Sequence, residues 1–176
     1  MIKLRRLLSD EIEKIRDLDR SEKIRVGYRQ EGSTLIAMDV NWDDTGWIDG
    51  EGEHSYGQMI RFARKHVANG ATAIGAFDAD RLAGIAIYRP RLTETMGQLA
   101  LLHVSNGYRR QGVASRLFDE VLILARADGA DCLYVSATPT GSAVGFYRSK
   151  GFEPTATPDP QLLEAEPEDI HMILRL

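Results

Sequence analysis

The residues with the clearest potential for chemistry form the hexapeptide Arg109–Ala114, which follows an apolar segment ending at Val104. Its first three residues are basic or polar, whereas Gly112 and Ala114 have little or no side chain. Apolar spacing over 112–127 predicts that a helix begins here. The first turn of a helix has free N–H groups and a partial positive charge, and small residues let a ligand approach the backbone. We therefore expect this turn to bind a phosphate-bearing ligand. The motif is neither GxxxxGK[ST] nor GxGxxG.

The elements that must position this turn alternate between strands and helices. Apolar runs and period-two patterns predict strands at 2–7, 72–77, 82–88, 96–104, 131–137 and 170–176. Helical spacing predicts one helix that begins near Asp10, with Glu13 as its capping partner, and others over 57–68, 112–127 and 142–150. The segment 30–56 is predicted as mostly loop, with a short strand at 34–38, and the proline-rich tail as loop. This order predicts a single mixed α/β (α+β) domain over residues 1–176.

Charge is distributed unevenly along the 176 residues. The net charge is −4, but residues 30–60 contain seven acidic residues and no Lys or Arg. That segment therefore has a charge of −7, and the remaining residues together have +3. Such a balance argues against nucleic-acid binding, which usually needs a basic domain. No apolar run reaches the length of a membrane span, and the N-terminus lacks a secretory apolar region, so we expect a cytoplasmic protein without a membrane partner.

Metal and disulfide chemistry are not expected. The chain has one cysteine, Cys132, within an apolar strand pattern that is typical of a buried, inert thiol. Its four histidines are scattered and show no zinc-binding spacing.

A second motif accompanies the turn at Arg109–Ala114. Phe146-Tyr147, followed by Lys150-Gly151-Phe152, comes after the next predicted strand, and the order of elements agrees from about residue 2 to 176. In these features the chain resembles the GNAT-type N-acetyltransferases. The resemblance identifies the family and no particular member.

The resemblance implies a mostly antiparallel central sheet flanked by helices. Its two central strands, one ending at Val104 and one over 131–137, would splay apart and hold acetyl-CoA in the gap. Backbone N–H groups over 110–115 would bind the pyrophosphate, and the backbone near Val104 would polarise the thioester carbonyl. The residues assigned to acetyl-CoA in this way are His103, Val104, Arg109, Arg110, Gln111, Gly112, Val113, Ala114, Ser115, Thr140 and Tyr147. Thr140 replaces an Asn that many relatives have, and its hydroxyl can still cap the following helix.

By the same resemblance, Tyr147 protonates the departing thiolate while an amine attacks the thioester directly. Many relatives place a Glu or His base near the position of Gln98, which cannot take a proton at neutral pH. His103 is a candidate base because its ordinary pKa lies near 6.5. It faces away from Gln98 unless a strand bulge intervenes. His54, His171, a carboxylate of residues 39–53 and water are the alternatives.

The acidic segment lies where the family binds its acceptor. Carboxylates there, Asp43 and Asp44 among them, favour a cationic amine. Trp42 and Trp47 would sandwich it, unless they anchor the loop to the core. The expected acceptor residues are Trp42, Asp43, Asp44, Trp47 and Gln98.

The sequence therefore predicts an acetyl-CoA-dependent N-acetyltransferase for a small cationic amine, such as a polyamine, an antibiotic or an amino-acid-like molecule. An enzyme for protein N-termini or lysine side chains and a non-catalytic CoA-sensing module are the alternatives. The resemblance leaves a homodimer open.

Overall fold

A seven-stranded sheet forms the frame of the computed structural model, which describes all 176 residues. In spatial order its strands are β1-β4-β5-β6-β7-β9-β8. Their bounds are β1 Lys3–Arg6, β4 Thr72–Asp78, β5 Arg81–Arg89, β6 Met96–Val104, β7 Cys132–Ala137, β8 Glu153–Pro154 and β9 Ile170–Arg175. Every neighbouring pair is antiparallel except β6 and β7. The prediction of a mixed α/β fold with a mostly antiparallel sheet is confirmed.

Helices cover both faces of this sheet. They are a 3₁₀ helix at Ser9–Asp17, α1 Tyr56–Ala68, a short 3₁₀ turn at Asn106–Tyr108, α2 Val113–Ala127, α3 Gly141–Ser149 and α4 Pro160–Ala165. The expected capping pair at the first helix is wrong, because the Glu11 carboxylate, not that of Glu13, accepts the N–H of Leu8 at 3.1 Å. In the tail, Asp159 caps the short α4, so this region is less irregular than predicted. None of the helices is both long and apolar enough to cross a membrane.

Part of the segment predicted as loop belongs to a long β-hairpin, which contains the short strand expected at 34–38. Strands β2 Glu22–Glu31 and β3 Thr34–Asp44 pair with each other and turn at Gly32, whose φ is +61°. The sequence signal was the alternation Ile36, Met38, Val40, in which half-buried residues alternate with exposed ones. Asp39, the one acidic residue between them, occupies an exposed position of the strand, where a charge is tolerated.

Two apolar cores lie on opposite faces of the sheet. One packs α2 and α3 against the sheet and includes Leu117, Phe118 and Leu133. The other packs the first 3₁₀ helix and α1 against the opposite face and includes Ile12 and Ile60. The two cores hold both sides of the central strands, so the position of each side chain on those strands is determined by packing.

The central strands diverge after a short parallel contact. Only Met96–Gln98 of β6 pairs with Cys132–Tyr134 of β7. A bulge at Ala100 also interrupts the pairing of β6 with β5 and shifts the register by one residue. Because a one-residue shift reverses the faces of a strand, Leu101 and His103 point towards the α1 side, as Gln98 does. Val104 joins the α2 core.

Candidate active site

The divergence of β6 and β7 opens a cavity of about 760 Å³. Its walls come from the end of β6, the start of α2, α3 and the open ends of the β2–β3 hairpin. Ten of the eleven residues expected to bind the cofactor line this single cavity: His103, Val104, Arg109, Arg110, Gly112, Val113, Ala114, Ser115, Thr140 and Tyr147. The fold therefore brings both sequence motifs to one site.

The turn before α2 exposes its backbone to the cavity. Arg110 and Gly112 have φ values of +64° and +77°, in the left-handed region that favours glycine. A Cβ atom at Gly112 would meet no atom within 4 Å, so the space in front of this backbone is open. The first N–H bonded within the helix is that of Arg116, to the Gly112 carbonyl, and the first turn holds no acidic residue. The N–H groups ahead of Arg116 are thus available to an anion.

Arg109 braces the site and is not a free cation. Its guanidinium donates to the Val104 carbonyl at 3.2 Å and to the Arg20 carbonyl at 3.1 Å. It also lies 3.8 Å from the Glu22 carboxylate. These contacts join the end of β6 to the segment that enters β2. Gln111 lies outside the cavity wall, and its side chain donates to the Gly107 carbonyl at 3.2 Å.

The opposite wall begins with Thr140, which caps α3. Its hydroxyl accepts the N–H of Ala143 at 3.3 Å, so it fulfils the capping role expected of the residue that replaces Asn. The hairpin is attached at the same point, because the N–H of Tyr28 donates to the Pro139 carbonyl at 3.0 Å. Thr140 therefore connects the α3 wall to the hairpin.

Tyr147 lies on α3 and faces the cavity while only 6% exposed. Its hydroxyl makes no hydrogen bond within the protein, although the ring packs against Phe146 and Phe152. Burial raises the pKa of the Tyr147 hydroxyl, so this group stays protonated at neutral pH. It is a proton donor that has no partner in the folded chain.

His103 also lines the cavity, but its environment disfavours a role as general base. Its ring lies 5.2 Å from that of Trp47, and its Nε2 atom is buried without a hydrogen-bond partner. Burial, with Arg20 and Arg109 nearby, lowers the pKa of His103 to about 3. Such a histidine is neutral at physiological pH and a weak proton acceptor.

The other two candidate histidines lie away from the cavity. His54 is exposed, and its backbone N–H donates to the Gln58 side chain at 2.9 Å. His171 is buried and bonded on both ring nitrogens, to the Tyr134 hydroxyl at 2.7 Å and the Glu166 carbonyl at 3.1 Å. No cluster of three or more His, Cys, Asp or Glu side chains is arranged to hold a metal.

Only Asp44 among the expected acceptor residues lines the cavity. Trp42 is 43% exposed and lies over Gly27, where an added Cβ would come within 2.8 Å of its ring. Trp47 is buried in the α1 core, in agreement with the anchoring alternative. Gln98 is buried and accepts from the Arg89 guanidinium at 3.3 Å. The tryptophans therefore form no sandwich in this structure.

The acidic segment is largely neutralised by arginines from neighbouring elements. Five of its seven carboxylates form ion pairs: Glu31 with Arg29, Asp43 with Arg25, Asp44 with Arg20, Asp49 with Arg16 and Glu51 with Arg61. The expected field of −7 is therefore much weaker in three dimensions, since adjacent opposite charges cancel at a distance.

Three cavity residues that sequence reasoning missed enter from the start of β2. Arg20, Glu22 and Ile24 all line the cavity. No local signal identifies them, because only the attachment of the hairpin to residues 138–140 brings them to the site.

Asp169, immediately before β9, is a further group that the sequence did not single out. Burial and the nearby Glu166 carboxylate raise the pKa of Asp169 to about 7, and Arg20 opposes the shift. Its charge also contributes to the raised pKa of Tyr147. The carboxyl group therefore lies close to the cavity in a poorly solvated position.

Comparison with known proteins gives a consistent result. Residues 49–176 match the family model described as an acetyltransferase (GNAT) domain. No curated protein matches the chain in sequence. Among solved structures, nourseothricin acetyltransferase is 20% identical, with a TM-score of 0.70 over 99% of this chain and 98% of that one.

Two further structures resemble the chain over its whole length. A candidate streptothricin acetyltransferase from Bacillus anthracis, in complex with acetyl coenzyme A, is 14% identical with a TM-score of 0.73 over 100% of both chains. PaiA N-acetyltransferase from Thermoplasma acidophilum, in complex with coenzyme A, is also 14% identical, with a TM-score of 0.65 over 100% of this chain and 99% of that one. At such identities the likeness concerns the fold.

Asp169→Asn should change stability in a pH-dependent way. Because the pKa of Asp169 is raised in the folded state, its stabilising contribution is complete below about pH 4 and is lost as the pH rises towards 7. The amide resembles the protonated acid at every pH. Urea unfolding should therefore show the variant close to wild type at pH 4 and about 1–2 kcal/mol more stable at pH 8.

Asp119→Asn, at an exposed position of α2, controls for the general effect of removing one negative charge. An equal change in unfolding free energy for Asp169→Asn at both pH values would contradict this assignment.

Proposed function

Because the chain belongs to the GNAT acetyltransferase family, we propose that it transfers an acetyl group from acetyl-CoA to the primary amine of a small cationic molecule. Residues 1–176 would act as one domain, since the cavity draws its walls from Arg20 through to Ser149. The observation that supports this most is the meeting of the open α2 turn and Tyr147 in one cavity.

The residues present fit acetyl-CoA. The N–H groups at the start of α2, reached through the open space before Gly112, would bind the pyrophosphate. Beyond Gln98 and Tyr134 no strand pairs with the facing edges of β6 and β7, which leaves room for the pantetheine arm. Arg109 would hold this arrangement together, because its Nε and Nη2 atoms already donate to backbone carbonyls.

The reaction would need no covalent enzyme intermediate. A neutral amine attacks the thioester carbonyl, a C–N bond forms, and the C–S bond breaks as the carbonyl is restored. Tyr147, whose hydroxyl stays protonated, gives its proton to the departing thiolate. The amine gives up its proton to Asp44 at the cavity wall or to water, since His103 is too weak a base.

The carboxylates at the cavity wall support a cationic acceptor. Glu22 and Asp44 are register partners across the hairpin, and both side chains are about one-quarter exposed. Two structural neighbours are named for nourseothricin and streptothricin, which supports a small molecule as the acceptor class.

The decisive test is an acetylation screen with a panel of amines, followed by thiol release and mass spectrometry of the products. Thiol release that depends on a cationic primary amine would support the proposal. Tight acetyl-CoA binding with no transfer to any amine would instead identify a CoA-sensing module.

Ala114→Glu should remove acetyl-CoA binding while preserving the fold. The new carboxylate would lie at the proposed pyrophosphate site, whereas an acid in the first turn is favourable for the helix itself. Calorimetry should show affinity at least about 10-fold weaker, with a melting temperature equal to or above wild type. Ala114→Ser is the control and should bind normally. Unchanged affinity in Ala114→Glu would place the cofactor elsewhere.

Tyr147→Phe should reduce kcat by about 100-fold while the Kd for acetyl-CoA changes little. The folded protein offers the hydroxyl no partner, so its removal should not reduce stability. Tyr28→Phe, a tyrosine outside the cavity, should retain full activity. A Tyr147→Phe enzyme with wild-type kcat would exclude the hydroxyl as the acid.

A further inference from the structure

We propose that Arg20 is a receptor for a carboxylate on the acceptor, so that the acceptor is a basic amino acid with a free carboxyl group. This inference rests on the proposed function and narrows its acceptor class. It starts from a contrast between the two arginines of the cavity wall, Arg20 and Arg109.

The protein provides hydrogen-bond acceptors for the Arg109 guanidinium, whereas it provides none for the Arg20 guanidinium. The Arg109 guanidinium donates hydrogen bonds to two backbone carbonyls. The Arg20 guanidinium donates none within the chain, although its side chain is only 25% exposed. Its single ion pair, with Asp44, is long at 3.6 Å. The five N–H groups of this guanidinium are therefore open to a ligand in the cavity that Arg20 lines.

The surroundings of Arg20 hold its guanidinium in place without occupying it. Its Cζ atom lies 5.8 Å from the centre of the Trp47 ring, and Trp47 is itself fixed in the α1 core. One carboxylate oxygen of Asp44 accepts the Gly46 N–H at 2.8 Å, while the other faces Arg20. Stacking and pairing therefore position a planar donor whose remaining N–H groups match a carboxylate ligand.

A negative group lies beside this donor on the same wall. The Glu22 carboxylate accepts no hydrogen bond in the protein, and its one ion pair, with Nη1 of Arg109, is long at 3.8 Å, while Nε and Nη2 of Arg109 donate to carbonyls. Glu22 therefore suits an ammonium group and Arg20 a carboxylate. Their proximity favours a ligand that has both charges, which is the head group of an amino acid.

The reacting amine must then be a second one. If the α-ammonium and carboxylate bind Glu22 and Arg20 on the hairpin wall, a side-chain amine is left to extend towards Tyr147 on the α3 wall. Lysine and ornithine have this combination of groups. A polyamine has no carboxylate. In lysinamide a neutral amide replaces the carboxylate, so the negative charge is absent.

The test compares L-lysine, L-lysinamide and cadaverine as acceptors for wild type, Arg20→Gln, Arg20→Lys and Arg25→Gln. Arg25 is the matched control, because it lies on the same hairpin and pairs with Asp43 outside the cavity. We expect wild type to prefer lysine to lysinamide by about 10- to 100-fold in kcat/KM. Arg20→Gln should raise KM for lysine by a similar factor with little change in kcat, and should remove the preference. Arg20→Lys should recover part of it, and Arg25→Gln should keep all of it.

Binding of the same three compounds to the CoA-loaded protein, measured by calorimetry, tests the inference without turnover. If no amine is acetylated but lysine binds Arg20-dependently, the proposed function fails and the carboxylate receptor stands. Equal binding and turnover of lysine and lysinamide in wild type would overturn the inference while leaving acetyl transfer intact. Loss of acetyl-CoA affinity in Arg20→Gln would also overturn it, since Arg20 would then belong to the cofactor site.

Discussion

The site depends on the separation of two parallel strands that share only three residue pairs. Beyond Gln98 and Tyr134, β6 and β7 no longer exchange backbone hydrogen bonds. Buried peptide groups must find partners, so an open gap inside a sheet is costly unless water or a ligand satisfies its edges. Here the gap widens into the cavity, which is bordered by the first turns of α2 and α3 and by the open end of the β2–β3 hairpin. The flanking cores stabilise the strands on both faces, which lets the gap persist.

Two arginine side chains connect the elements that form the cavity wall at the start of β2. Arg109 bonds the end of β6 to the chain entering β2, whereas Arg20 crosses to β3 through its pair with Asp44. The ion pairs Arg109–Glu22 and Arg20–Asp44 are partly buried, so their charges are less screened than those at the surface. Burial lowers the pKa of His103, and the charges of the same two arginines add to that shift, so this histidine stays neutral. Structural bracing and the electrostatics of the site therefore come from one small set of contacts.

Much of the sheet and its helices was predictable because each element has a recognisable local sequence pattern. The regular apolar spacing of α2 and the apolar runs of β4 to β6 each need one packed face, and the structure places them as predicted. The α2 turn was also accessible, because Gly112 follows a basic stretch and stands between a predicted strand and a predicted helix. Only a short strand at 34–38 was predicted of the β2–β3 hairpin. The rest was missed because its glycines and acidic residues resemble a loop, although Ile36, Met38 and Val40 alternate as a strand should.

By itself, the sequence predicted a turn that could bind an anion and the strands and helices that would flank it, and its resemblance to the GNAT family pointed to Tyr147 as a proton donor. Those properties reside in side-chain chemistry and in patterns shorter than one element. Only the tertiary structure decided what each residue meets across the gap. It paired most of the acidic segment with nearby arginines, turned His103 inward through the bulge at Ala100, and placed Arg20 and Glu22 in the same cavity as Tyr147. Burial and through-space charge depend on neighbours far away in the chain, so no local pattern encodes them.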